Sequence, residues 1–579
     1  MLKFFQSETR NLSTEGSWGI DSGLHRGKSG AFGIPEHLGA KHRASSKHQS
    51  CLHVSIAQVA TCLTGDLKLL HQSVNYVFLV ACSLEYSAFG KVPEEAHLRI
   101  IVVGAGLSGL ATAISCASHG HSVQVIEQAK ELAEVCLTSL ANFSTISAKI
   151  NPPEQVGAGL QITPNASRLF HHWQLPSSIW TDAAEPTSLT VHRYTGQILA
   201  QENEFDRNIR AKYNNSPFID LHRVDLQQAL FARAKDLGVT FHLDTRVERI
   251  DFATSTVYTP SPQGRTFTGD LIVAADGLWS KCRECYEGRK DDPLPTGDLA
   301  YRIVLNAEQI RPEDADLRQW VESPQCHFWV GPGAHVVAYS LRGGKMFNIV
   351  LLVPDTLPPG VSRQAGSVDE MKALFTGWDP VLTRFLNYVD NVDKWKLMHH
   401  GEMETWVNDK SNLVFMYVHT PSQAHLPNHL TKDEKNSGDA CHPMLPYLAQ
   451  GANSSLEDGA VLGGLLGHLK SKSHLPQVLR LYESLRKSRG EAIVKETFKQ
   501  MIRHKQRNDF HMPNGEAQEK RDQIFLSQLG KKIQGPFPSR WTCPEVQPWL
   551  YGYDAIQEVE NAVAQNPELF SKTKNTSNL

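Results

Sequence analysis

The chain has 579 residues, 41% hydrophobic and 21% charged, with a formal net charge of −3. That length holds several domains and a large core, and a near-neutral balance with no long basic run argues against a nucleic-acid partner. Ten cysteines without a dense framework read as a reduced, cytoplasmic protein.

Residues 1–96 are rich in Ser, His and Gly, show no clear period, and are expected to be a disordered or non-native extension. No charged and then apolar leader opens them. Their greasiest stretch, Val74 to Leu84, is too short to span a membrane. The pattern changes at Arg99-Ile100-Ile101-Val102-Val103-Gly104-Ala105-Gly106-Leu107-Ser108-Gly109. An apolar run suited to a buried parallel strand enters G-x-G-x-x-G, and Leu110 to Ala117 reads as a helix. A second strand, Ser122 to Ile126, ends on Glu127. This is a dinucleotide fingerprint in context. Gly104 permits the tight turn, Gly106 lets backbone approach a pyrophosphate, and Gly109 lets helix and strand pack closely. Glu127 is placed to accept from a ribose 2′-hydroxyl, so NAD or FAD fits better than NADP.

Further on, Leu271 to Ala275 reads as a buried strand ending in Asp276-Gly277, with a carboxylate at the sheet edge where α/β ligands bind. Cys282 and Cys285 form a C-x-x-C best read as neighbours on a helix. Residues 296–416 contain Cys326 to Val330, His335 to Leu341 and Met346 to Val353, an antiparallel sheet with Gly-rich turns. A strand over Leu413 to Met416 precedes Gly438-Asp439, and a Gly451-Ala452-Asn453 turn opens a helix from Ser455 to Leu469. Residues 476–579 read as helical, with Val478 to Lys505 amphipathic. No His/Cys/Asp cluster has metal-ligand spacing, and nothing signals an oligomeric state.

These motifs, in this order, resemble the single-component FAD-dependent aromatic hydroxylases of the salicylate and para-hydroxybenzoate kind, nearest to fungal members acting on phenolic or polyketide substrates. The resemblance covers roughly residues 97–560. It implies an α/β (α+β) fold: a Rossmann-like FAD domain over 97–295, completed by 438–475, an inserted antiparallel substrate domain over 296–416, and a helical C-terminal region over 476–579. It further implies that Glu127 binds the adenosine ribose and that Ala158 and Gly159 lie beside the isoalloxazine. Arg223, in Leu221-His222-Arg223-Val224-Asp225-Leu226, would reach the FAD chain, Asp439 would hold the ribitol, and Pro446, Gly451 and Ala452 would border the reactive edge. Asp276 completes the cofactor set. Without the resemblance, Asp276 and Asp439 read as turn residues, and Arg223 as an ion-pair partner of Asp225.

Arg302 and Tyr339 match positions that phenol-hydroxylating relatives use, and are the implied catalytic pair. Arg stays cationic and stabilises a phenolate, while Tyr holds its oxygen. On pattern alone they are an edge-strand charge and a core aromatic, and His327 and His335 rank behind them. The implied reaction uses NAD(P)H as a transient reductant and O2, and hydroxylates a phenol through a flavin C4a-hydroperoxide in a dry pocket. A flavin oxidase or dehydrogenase without oxygen insertion, or an inactive mis-spliced flavoprotein, are the competing expectations.

Two stretches interrupt the family pattern. Val135 to Gln155 and Tyr417 to Ser437 separate segments that relatives join almost directly. Val135-Cys136 and Met416-Tyr417-Val418 are compatible with GTATGT donor sites, and Gln155 and Asn436-Ser437 with AG acceptors, so both are expected to be translated introns. The alternative is a pair of lineage-specific loops, which chains tolerate cheaply.

Overall fold

The computed structural model describes residues 91–132, 159–261, 264–400, 403–416, 448–499, 514–535, 537–539 and 542–571. Both interrupting stretches lie outside them, as do nearly all of the expected extension and Val74 to Leu84. The extension's boundary is earlier than position 96. Val92 and Ala96 are buried, and the Val92 amide donates to the His119 carbonyl, because these apolar side chains complete the core beside the first strand.

Four parallel pairings build a five-stranded sheet. From one edge to the other it runs Leu413–Phe415, Leu271–Ala274, Arg99–Val103, Ser122–Ile126 and Thr240–His242. Its strands are apolar because helices cover it. The fingerprint helix, Leu107–Ser118, is buried over its first ten residues. Against it lies Gln450–Gly467, every residue of which is buried. The two helices come close because Gly459, Gly463 and Gly467 recur every fourth position on the contact face. A methyl on Gly459 would fall 2.7 Å from the Ala111 Cβ, and methyls on the other two would overlap Ser115 and His119.

The second layer is an eight-stranded sheet in the order Arg363–Gly366, Val392–His399, Leu294–Asn306, Met346–Pro354, Ala334–Leu341, Cys326–Gly331, Ser188–Arg193 and Ile198–Asn203. The antiparallel strands expected between 326 and 353 are present. The sheet also recruits Ser188–Arg193 and Ile198–Asn203, which sequence placed with the nucleotide domain. Strand alternation sorts its faces. Tyr301, Ile303, Val336, Ala338, Phe347 and Ile349 join one apolar cluster with Leu317, Met371 and Phe385 from the outer helices. Arg302, Tyr339 and Asn348 occupy the alternate positions.

A two-stranded ribbon, Gly159–Ile162 with Ile219–His222, lies next to this second face. The helical C-terminal region comprises Leu475–Lys499, Glu516–Gln528, Gln547–Tyr551 and Ala555–Gln565. It is tied in by buried charge. Arg486 and Arg489 both pair with Glu457, at 2.7 and 2.8 Å, and Arg486 also reaches Asp458 at 2.5 Å.

Candidate active site

At the C-terminal edge of the parallel sheet lies a groove of about 380 Å³, lined among others by Gly104, Gly106, Glu127, Arg223, Asp276 and Lys281. The fingerprint glycines divide the work as their spacing predicts. Gly104 has φ +104°, and a Cβ there would overlap the Ala275 carbonyl. A Cβ on Gly109 would overlap the Gly104 carbonyl. A Cβ on Gly106 would meet nothing within 4 Å, so that position is kept clear by the groove rather than by the fold. No side chain caps the helix that starts at Leu107, which leaves its first amides to a ligand. Glu127 spans the mouth: its two carboxylate oxygens accept the amides of Ala105 and Ala129, both at 2.8 Å. Each oxygen keeps a lone pair for a ribose hydroxyl. This donor set and clearance fit the ADP half of FAD.

Asp276 lines the same groove and also caps its own turn, accepting from Ser280 Oγ at 2.6 Å and the Cys282 amide at 2.9 Å. Burial pushes its carboxyl up, against those bonds. Cys282 and Cys285 do sit on one helix, Lys281–Glu287. Arg223 begins the helix Arg223–Asp236. Burial, with Arg302 adding, pulls its guanidinium down to about 10. Asp225 does not pair with it, because Arg342 takes that carboxylate in a bidentate bridge at 2.6 and 2.8 Å.

Gly451 and Ala452 are not a turn before a helix. Gln450–Gly467 begins five residues earlier than expected, after Ala449 at φ +51°, and puts both in its first turn. The reason is a set of side-chain bonds that pattern reading cannot see. Asn453 Oδ1 accepts the Thr163 amide at 2.9 Å, and Asn165 Nδ2 donates to Gln450 at 3.2 Å and Glu457 at 2.6 Å.

On the site face of the large sheet, Arg302 is half-buried, and its guanidinium carbon stands 5.5 Å from the centre of the Trp395 ring. No carboxylate pairs with it among the described residues, and its buried Nε makes no hydrogen bond there. Burial lowers its pKa, which Tyr339 opposes. Tyr339 is buried, and its ring rests on Gly159, where a Cβ would lie 2.5 Å from Cε2 and 2.9 Å from the hydroxyl. Asn348, directly across from Tyr339, accepts the Gly159 amide at 3.0 Å. His335 shares this face. His327 does not: it points the other way, stacked on Trp320 and 3.1 Å from His192, the packing role more common for a lone strand histidine.

Residues 99–340 match the family model described as FAD dependent oxidoreductase, and 437–497 match the one described as FAD binding domain. The chain is 43% identical over 477 residues, 82% of its length, to FAD-dependent monooxygenase OpS4 of Beauveria bassiana, and covers 99% of that protein. The chain belongs to the FAD-dependent monooxygenases. It is 28% identical over 400 residues to the 3-hydroxybenzoate 6-hydroxylase of Polaromonas naphthalenivorans, covering 69% of this chain and 86% of the other. The solved structure of CtdE with FAD and a substrate shares the fold at TM-score 0.59 and 18% identity, covering 82% and 100%. The salicylate hydroxylase substrate complex shares it at 0.55 and 19%, covering 81% and 99%.

For this FAD-dependent monooxygenase, Ala158, Asp439 and Pro446 lie outside the described residues. Sequence reading missed Asn348, Gln161 and Asp220. A polar residue in an alternating strand looks solvent-facing unless the covering layer is known. The one available signal was Asp220 at the centre of Phe218-Ile219-Asp220-Leu221, an acid inside an apolar run. Among the described residues, no helix is long and apolar enough to cross a membrane.

Proposed function

We propose that this monooxygenase hydroxylates a phenolic or polyketide-derived aromatic substrate, with NAD(P)H as transient reductant and O2 as the source of the inserted oxygen. The observation that carries the reading is Arg302. A half-buried guanidinium with a buried, unbonded Nε, an aromatic neighbour and no carboxylate paired with it among the described residues calls for an anion, and a phenolate beside Trp395 supplies one. Tyr339 holds the phenolate oxygen by its hydroxyl, which burial keeps protonated well above the ordinary range and therefore a donor. Trp395, Val350 and Tyr339 keep water from the ring.

In the cofactor groove, Gly106 and the first amides of the fingerprint helix receive the pyrophosphate, Glu127 the ribose, and Arg223 and Asp276 the linking chain. Gly451 and Ala452, at an N-terminus without a side-chain cap, take the pyrimidine edge. Bound FAD, once reduced, supplies the oxygen-activating chemistry. The curated relatives named for hydroxybenzoate hydroxylation support an aromatic substrate.

The test is NAD(P)H oxidation by flavin-loaded protein against a panel of phenols, with product and hydrogen peroxide both quantified. A phenol that accelerates oxidation and gains one oxygen supports the reading. Oxidation of the substrate without oxygen gain assigns an oxidase or dehydrogenase instead.

A further inference from the structure

Arg302 has an acid directly across from it and does not use it. Antiparallel pairing sets Asp393, on Val392–His399, opposite Arg302, and Trp395 opposite Ala300. The edge strand Arg363–Gly366 sets Arg363 opposite Trp395 and Ala365 opposite Asp393. Cross-strand partners and alternate residues share a face, so Arg302, Asp393, Trp395 and Arg363 stand together on the site face of the sheet. An arginine and an aspartate directly opposite each other are within pairing reach. Here Asp393 Oδ2 instead accepts from Arg363 Nη2 at 2.6 Å, and no carboxylate pairs with Arg302 among the described residues. Lys394, the next residue, faces the other way and pairs with Glu370 at 2.6 Å.

We propose that Arg363 is a positioning residue that claims Asp393 and so keeps Arg302 available to an anionic substrate. The inference rests on the reading above, in which Arg302 receives the substrate's anion. The side chains of the bridge are 25% and 34% exposed. Solvent screens such a pair, so it adds little to stability, and its consequence is where the negative charge sits. Trp395 helps to fix that choice. Its buried indole lies within cation–π range of both guanidiniums, 4.4 Å from the Arg363 carbon and 5.5 Å from that of Arg302.

The arrangement also defines the ligand. Arg302, Arg363 and Asp393 together carry one surplus positive charge, and with Asp393 held on Arg363 that surplus sits at Arg302. An aromatic ligand with a single negative charge neutralises it, whereas a neutral analogue leaves it uncompensated. Without Arg363, Asp393 is free to turn to its cross-strand partner and occupy the position of the substrate's anion.

The experiment measures binding by calorimetry to flavin-loaded protein. The probes are mono- and dihydroxybenzoates, anionic at neutral pH, and the corresponding neutral benzamides. The proteins are wild type, Arg363→Met, Arg363→Lys, Asp393→Asn, Arg363→Met/Asp393→Asn and Arg302→Met. Arg363→Met should weaken binding of the acids about tenfold and leave the amides within about twofold. Asp393→Asn alone should change the acids by less than about threefold, and the double variant should recover to that level. Arg363→Lys, which keeps a cation for Asp393, should stay near wild type. Acid binding unchanged in Arg363→Met, or a loss that Asp393→Asn does not rescue, overturns the inference. Equal and opposite shifts in Arg363→Met and Asp393→Asn would mark a diffuse charge effect and overturn it too. Should Arg363→Met not hold flavin, Asp393→Asn decides: acids bound about tenfold more tightly would show Asp393 already neutralising Arg302. Wild type that binds none of the acids, or Arg302→Met that binds them as wild type does, overturns the anion reading and this inference together. Acid binding lost in Arg302→Met but kept in Arg363→Met overturns this inference alone.

Discussion

Asn348 accepts the amide of Gly159 at 3.0 Å while Tyr339, its cross-strand neighbour, lays its ring on the Gly159 Cα. One strand of the substrate sheet thus fixes both the ribbon and the tyrosine. Gly159→Ala should displace Tyr339, because a Cβ 2.5 Å from Cε2 has nowhere to go. We expect kcat/KM to fall roughly tenfold to a hundredfold, about 1.4–2.7 kcal/mol. The fraction of NAD(P)H oxidised without product should rise, with flavin content retained. Asn348→Ala should act the same way more weakly. Steady-state kinetics with peroxide detection check both; full coupling in Gly159→Ala would contradict the contact.

The two fingerprint glycines should separate by phenotype. Gly106→Ala is expected to fold with near wild-type stability and bind FAD at least tenfold more weakly, since its Cβ enters open groove. Gly104→Ala should lose about 2–4 kcal/mol of stability from a positive φ and a clash with the Ala275 carbonyl. Denaturant unfolding of the apoprotein and flavin titration distinguish them.

Acid should weaken the joint between the fingerprint helix and its partner. His121 accepts the Leu98 amide at 3.2 Å and reaches the Leu466 carbonyl at 3.1 Å, and burial pulls its pKa down to about 4. The unfolded chain binds the proton at about 6.5, so this contribution is complete above that pH and is lost as pH falls toward 4. At pH 5 the loss is about 2 kcal/mol. His121→Gln should shrink the stability difference between pH 7.5 and 5 by that amount in urea titrations.

Glu457 loses stability in the same direction, but as a buried charge rather than a buried neutral ring. Burial would raise its carboxyl, but Arg489 and Arg486 overcome it and hold it at about 2. Its contribution is present above the ordinary carboxylate range and lost as pH falls through about 4 to 2. Glu457→Gln leaves two buried guanidiniums short of charge and should cost about 3–5 kcal/mol, read as a shift of the denaturation midpoint.

The interrupting stretches yield a prediction from sequence alone. Protein made without residues 135–155 and 417–437 should bind FAD stoichiometrically, and the spliced transcript should lack both. Equal flavin content with the stretches present would mark them as genuine loops.

What the sequence disclosed here was local. The strand from Arg99 to Val103, its turn and Glu127 lie within thirty residues, and the bonds that the Glu127 carboxylate accepts from Ala105 and Ala129 fall inside that run, so this wall of the groove was legible. Arg302 and Tyr339 were singled out only through resemblance, because alternation gives the face but not what covers it. The early start of the helix at Gln450 was hidden for a related reason: its first turn is held by Asn165 and Thr163, nearly three hundred residues upstream. Asp220 and Asn348 were missed because their meaning comes from a ribbon and a sheet that meet only in three dimensions.

The glycine row of Gln450–Gly467 has a consequence for how the protein comes into being. The helix proposed to receive the cofactor phosphates is sealed by a segment synthesised some 350 residues later, and at 5–20 residues per second that is a delay of very roughly twenty to seventy seconds. Until then the nucleotide half exposes an apolar seam and has no second wall. Cofactor capture is therefore a late event on the ribosome's product. A chain cut short before that helix would emerge without a flavin site and with a surface that invites aggregation, so yellow colour during expression serves as a report on completed synthesis.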